Sequence, residues 1–261
     1  MSTQSETQVP IKRSFLVVFL IVATELIGFG LLIPILPQIV HSFESNGLLL
    51  AISMAAFSFA QAIASPLLGS WSDRIGRKPV LLISKLGTVF SYILLAYSQQ
   101  YIWIVISRLI DGFTGGNIAV ARAYISDITT EKQRSKGMAL IGISFATGFI
   151  LGPALGGICF SISNGHQLAA FVAAGFSALA FILTAAFLKE SPQRQSHPKV
   201  SIFSTLPKLL SHRGLATVFA TQFIFMIIFS AFETSFSLYT LQRIGLGAAE
   251  NSQLYLFIGI L

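Results

Sequence analysis

The sequence predicts an all-α, multi-pass membrane protein on three observations. Apolar residues make up 54% of the 261, with 23 phenylalanines, and the mean hydropathy is +0.76. A water-soluble domain of this size, which must keep a polar shell, does not carry so much. Apolar windows of about 20 residues recur along the chain, the length that crosses roughly 30 Å of hydrocarbon as a helix. Only 10% of residues are charged, and most of them sit in the gaps between windows.

In chain order, residues 1–13 form a polar tail ending in Lys12-Arg13. The apolar run behind it is too long for a signal-peptide core and has no small-residue cleavage site, so it is the first membrane helix. Predicted spans run from Ser14 to Ile39, Gly47 to Leu68, Pro79 to Tyr97, Tyr101 to Ser126, Gly137 to Phe160, Gln167 to Leu188 and Leu215 to Leu241, with an incomplete eighth starting near Ser252. Residues 14–188 thus form a six-helix unit, 189–214 a polar linker with a surface helix near "FSTLPKLL", and 215–261 the start of a second unit. Cys159, the single cysteine, has no partner for a disulfide and is assigned to packing.

The net charge of +7 raises the question of nucleic acid, but its distribution points to a bilayer. Thirteen of the 17 basic residues precede span one or fall between spans two and three, four and five, or six and seven: Lys12, Arg13, Arg74, Arg77, Lys78, Lys132, Arg134, Lys136, Lys189, Arg194, Lys199, Lys208 and Arg213. Those segments are predicted to be cytoplasmic, with the amino terminus inside and the protein in the cell's inner membrane. No nucleic-acid partner is expected, and no nucleotide loop, metal cluster or nucleophile constellation suggests an enzyme or a cofactor.

Charges inside the spans are the candidate functional groups. Glu25 lies about 11 residues into span one, where an ionised carboxylate costs at least a few kcal/mol. It is either a proton or cation site or a hydrogen-bonding group between helices. Arg108 and Asp111 stand three apart on one face of span four, as a self-neutralising pair or as a fixed cation beside a titratable acid. Glu233, in "FSAFETSFSLY", is the corresponding acid of span seven. "TELIGFG" and "RLIDGFTGG" each place an acid just before Gly-Phe, a faint repeat that two inverted three-helix units would bring around one cavity.

Helix-breaking residues carry a separate signal. Pro34 and Pro37 in "GLLIPILP" sit near the outer end of span one, and Gly148, Gly152, Pro153, Gly156 and Gly157 fall within span five. The second set suits a kinked gating helix or a static close-packing surface. In "GSWSDRIGRKPV", Gly69 is expected to permit tight packing, Gly76 a sharp turn, Asp73 to sit near a helix N-terminus, and Arg77 to reach an acid such as Asp127.

These residues carry a resemblance. Gly69, Asp73, Arg74, Gly76, Arg77 and Lys78 form a Gly-x-x-x-Asp-Arg-x-Gly-Arg-Lys loop after a second span, which resembles the signature loop of the major facilitator superfamily. Arg108 with Gly112 resembles its fourth-helix motif, "GFILGPALGG" its antiporter motif and "IGFGLLIPILP", with Gly28, Gly30, Pro34 and Pro37, the first-helix motif of 12-span drug/proton antiporters. "GSWSDRIGRKPVLLIS" and "AYISDIT" look most like tetracycline/proton antiporters, although span three holds no acid and Glu25 stands where those relatives tend to have Asp.

The resemblance implies two six-helix halves, alternating access and export of small amphipathic molecules, tetracycline-like or multidrug, driven by the proton gradient. Asp73, Arg77 and Asp127 would form its charge network. Since 12 spans are expected and an eighth has only begun at Leu261, the chain is read as C-terminally truncated. The alternatives are a transport-inactive remnant or a uniporter or symporter of the same fold.

Overall fold

The computed structural model describes residues 11–43, 47–163, 166–191 and 211–260, and all regular structure among them is helical. The helices are α1 (Ile11–Leu32), α2 (Leu36–Phe43), α3 (Gly47–Ile75), α4 (Arg77–Ala96), α5 (Tyr101–Gly115), α6 (Asn117–Ile128), α7 (Glu131–Ser163), α8 (His166–Phe187), α9 (Arg213–Tyr239) and α10 (Ala248–Ile260). A π-helical turn, Thr240–Ile244, follows α9. Among the described residues, seven segments are long and apolar enough to cross a membrane, α5 and α6 together making one of them. The predicted fold class is the one found.

Side-chain size decides how the helices meet. The inward face of α8 reads Ala169, Ala173, Ser177, Ala180, Thr184, one small residue per turn, and all five are buried. Such a strip lets a neighbouring helix approach closely when lipid supplies no hydrophobic drive. α4 packs there, burying Val80, Leu81, Ser84, Lys85, Thr88, Ser91, Tyr92 and Leu95 at helical spacing. Large residues point the other way: Ile52, Phe59, Ile63, Phe90, Ile102 and Ile182 are exposed, as a lipid-facing surface requires.

α1 and α7 form the most extensive seam. A Cβ on Gly152 would lie 2.6 Å from the Gly30 carbonyl carbon, and one on Gly148 would lie 2.6 Å from Leu26 Cβ. Gly156 opposes the Leu31 carbonyl in the same way, while Gly28 faces Ala173 of α8. α7 continues as one α-helix through Pro153. On its far side Gly157 receives Ser252 of α10.

Several expectations need correction. Span one does not run unbroken to Ile39: α1 stops at Leu32, a turn follows with Ile35 N–H donating to Leu32 C=O at 3.1 Å, and α2 restarts at Leu36. Pro34 has no N–H and its ring displaces the preceding turn. Span four breaks as well, at Gly116. The loop between spans two and three shrinks to one residue, Gly76, because α3 extends to Ile75 and α4 begins at Arg77. Asp73 therefore lies in the last turn of α3 rather than at a helix N-terminus, and Gly69 packs against nothing, a Cβ there meeting no atom within 4 Å. The eighth apolar segment starts at Ala248, ahead of Ser252. Residues 1–10 of the tail and 192–210 of the linker, with the surface helix expected at "FSTLPKLL", lie outside the described residues.

Candidate functional site

The break in span four creates the site. Gly115, released from helical pairing, accepts a hydrogen bond from Gln61 Nε2 at 3.2 Å, and the next helix opens with Asn117, whose Nδ2 donates to Glu25 Oε1 at 2.5 Å. The other oxygen, Oε2, is ion-paired with Lys85 Nζ of α4. Lys85 is 1% exposed and Glu25 13% at the side chain. Three helices 60 and 92 residues apart in sequence thus meet on one carboxylate. A buried charge left alone costs several kcal/mol, and here each charge has its partner.

On α5, Arg108 Nη1 stands 3.1 Å from Asp111 Oδ2, both residues being 3% exposed. The guanidinium lies over the Tyr92 ring, 5.6 Å from its centroid. Arg108 Nε and Nη2 have no hydrogen-bond partner among the described residues. Thr88 and Thr114 hydroxyls meet at 2.9 Å and fasten α4 to α5 beside the pair.

Glu25, Arg108 and Asp111 line one cavity of about 480 Å³. Its walls are otherwise mostly apolar, with Phe29, Phe57, Phe145 and Phe149 prominent. Phe225, Met226, Phe229 and Ser230 of α9 close one side, Phe229 meeting Phe149 edge-on at 5.4 Å. Behind Glu25 lies a second void of about 10 Å³ bounded by Lys85, Asn117 and Ala121, the size of a single water.

A second charged cluster sits at the Gly76 end. Arg77 is buried and donates through Nε to Asp127 Oδ2 at 2.9 Å and through Nη1 to Ser72 Oγ at 2.6 Å, while Nη1 also pairs with Asp73 Oδ1 at 2.5 Å. Glu190, beyond the end of α8, accepts from the backbone N–H groups of Arg77 at 2.7 Å and Lys78 at 3.2 Å. Lys78 Nζ returns the favour, donating to the Ala185 carbonyl in the last turn of α8 at 2.7 Å. Each helix end is capped by a charge of the sign its dipole prefers. Gly76 holds a φ of 109°, a conformation that suits glycine.

The structure therefore gathers Glu25, Arg108 and Asp111 on one cavity, and Asp73, Arg77 and Asp127 in one cluster with the Lys78 backbone beside it. Arg74 is exposed in the last turn of α3 and joins neither. Gly28, Gly30, Gly148, Gly152 and Gly156 form helix seams, with Pro34, Pro37 and Pro153 buried near them. The side chain of Glu233 lies outside the described residues.

Sequence reasoning missed Lys85, Asn117, Gln61 and Glu190. Lys85 carried a signal, a lysine in the middle of an apolar window. Asn117, Gln61 and Glu190 carried none, since each acts on a partner between 54 and 113 residues away.

Comparison with known proteins agrees with this architecture. The pattern described as Major Facilitator Superfamily matches residues 18–261. The class H tetracycline resistance protein of Pasteurella multocida is 33% identical over 260 residues, covering 94% of this chain and 64% of that one. Multidrug resistance protein 2 of Bacillus subtilis (strain 168) is 32% identical over 241 residues, covering 90% and 60%. The crystal structure of the human organic anion transporter MFSD10 (TETRAN) superimposes with a TM-score of 0.74 at 26% identity, covering 97% of this chain and 70% of that one. The chain spans less than two thirds of the length of these two curated relatives. Its helical architecture, its loop and helix motifs and a match running from residue 18 to the last residue lead to one assignment: the chain belongs to the Major Facilitator Superfamily.

Proposed function

We propose that the protein works as a proton-coupled exporter of small amphipathic molecules, exchanging them for protons by alternating access across a lipid bilayer. The observation that carries this reading is the pairing of an apolar cavity with ionisable groups in its wall: about 480 Å³ of space, walled by phenylalanines, with Glu25, Arg108 and Asp111 facing in. That volume is within the usual range for small-molecule sites, whose apolar walls hold a ligand body while a few polar groups orient it. Names of the relatives, tetracycline resistance and multidrug resistance proteins, support the same substrate class.

Coupling follows from charge. A carboxylate that takes up a proton beside a fixed cation changes the net charge of a water-poor site by one unit, and the state that better tolerates that change gains population. Glu25, bonded to Lys85 of α4 and Asn117 of α6, transmits its protonation to three helices at once. No bound cofactor takes part in this reading; the proton gradient supplies the drive. The Gly76 end is cytoplasmic in it, following the 13 basic residues on that side.

Proteoliposomes containing the protein, loaded with tetracycline and given an imposed pH gradient, test the reading. Glu25→Gln should abolish gradient-driven movement while the protein still inserts and exchanges substrate at equilibrium. Unchanged pH-driven transport in that variant removes Glu25 from the mechanism.

A further inference from the structure

Glu25 stands at a partition. Its side chain lines the larger cavity, yet both carboxylate oxygens are engaged from the far side, Oε2 by Lys85 and Oε1 by Asn117. Lys85 and Asn117 line the water-sized void and are not part of the larger cavity's wall. A cation with 1% exposure therefore neutralises a carboxylate that faces the ligand space.

We propose that Lys85 sets the charge class of the ligand. By cancelling Glu25 from behind, it denies permanent cations a counter-charge and leaves the cavity to amphipathic molecules whose polar group is anionic, zwitterionic or neutral. This rests on the reading that the cavity binds amphipathic molecules. An unpaired carboxylate in a low-dielectric cavity is a strong attractor for an ammonium or phosphonium, whereas one that already holds an ammonium offers little.

The second pair points the same way. Asp111 is matched by Arg108, whose Nε and Nη2 are buried without a hydrogen-bond partner among the described residues, against a single carboxylate oxygen, Asp111 Oδ2, that has the ion pair alone. Surplus hydrogen-bonding capacity at this wall is donor capacity, which suits an acceptor group on the ligand. The other polar side chains of the wall, Ser58, Gln61, Thr88, Tyr92 and Ser230, are neutral.

Binding, rather than transport, decides the matter. Tetraphenylphosphonium and tetraphenylborate share one apolar shape and differ in charge sign, and equilibrium dialysis against purified protein, with empty micelles subtracted, measures both. Wild type should hold the borate at least tenfold more tightly than the phosphonium. Lys85→Met and Lys85→Gln should each raise phosphonium affinity at least tenfold, Lys85→Arg should keep the wild-type preference, and adding Glu25→Gln to Lys85→Met should erase the gain.

A merely structural lysine would weaken both probes together and create no affinity for the cation. The proposal is overturned by a wild type that prefers the phosphonium, by Lys85 variants with an unaltered charge preference, or by a gain that survives Glu25→Gln. Failure of both probes to bind wild type and every variant instead overturns the amphipath-cavity reading beneath it.

Discussion

Replacing Gly152 by alanine measures how tightly α1 and α7 are joined. The new Cβ would lie 2.6 Å from Gly30 C, 2.7 Å from Gly30 Cα and 2.8 Å from Leu31 N, all backbone atoms that no rotamer change can move. Ordinary contact begins near 3.4 Å, so the helices must part by about 0.8 Å along a seam that also holds Gly148 and Gly156. Overpacking of this kind costs roughly 1–3 kcal/mol, and a purely backbone clash belongs at the upper end. At about 2–4 °C per kcal/mol for a chain of this size, the unfolding midpoint should fall by about 6–12 °C. The control is Gly175→Ala in α8, where nothing lies within 4 Å and the change should be neutral or slightly stabilising. Cys159, buried in α7, is a built-in reporter, since a thiol-reactive dye lights up when the seam opens on heating. A Gly152→Ala midpoint within about 2 °C of Gly175→Ala would refute the steric argument.

Two further outcomes are expected. Gly76→Ala forces a side chain into a φ of 109° and sets its Cβ 2.7 Å from Glu190 Oε2, so it should lower the same midpoint by the equivalent of about 1–3 kcal/mol, and a midpoint equal to wild type would refute both the backbone strain and the clash. A cysteine placed at Lys132, on the Gly76 side of the bundle, should react with a membrane-impermeant maleimide in inverted vesicles and stay unreacted in intact cells; the opposite pattern reverses the proposed orientation.

The spans were legible because hydrocarbon thickness imposes one length on every crossing helix, and Glu25, Arg108 and Asp111 were legible because charge in an apolar window is conspicuous. Breaks and partners were harder. Pro34 announces a discontinuity through its missing donor, yet the equivalent break at Gly116 depends on Gln61 of α3 taking over the Gly115 carbonyl, which no local pattern encodes. Gly69 looked like a packing residue and has empty space beside it, because what covers a glycine is decided by neighbouring elements rather than by the glycine. Lys85 is the instructive omission: scanning span three for an acid passed over a base that is the acid's counterpart on another helix. Glu190 looked like an ordinary residue at the start of a polar linker, and only three-dimensional proximity shows that it completes a helix 113 residues earlier.

That last distance has a consequence for biosynthesis. The donors at the start of α4 wait for a carboxylate that the ribosome has yet to make, and at about 5–20 residues per second the delay is on the order of 6–20 seconds. During that interval the newborn hairpin of α3 and α4 sits in the membrane with an uncapped hinge, open to chaperones and quality-control proteases. Emergence of α8 is the event that fastens it, so the first six spans should gain protease resistance in one late step rather than pair by pair.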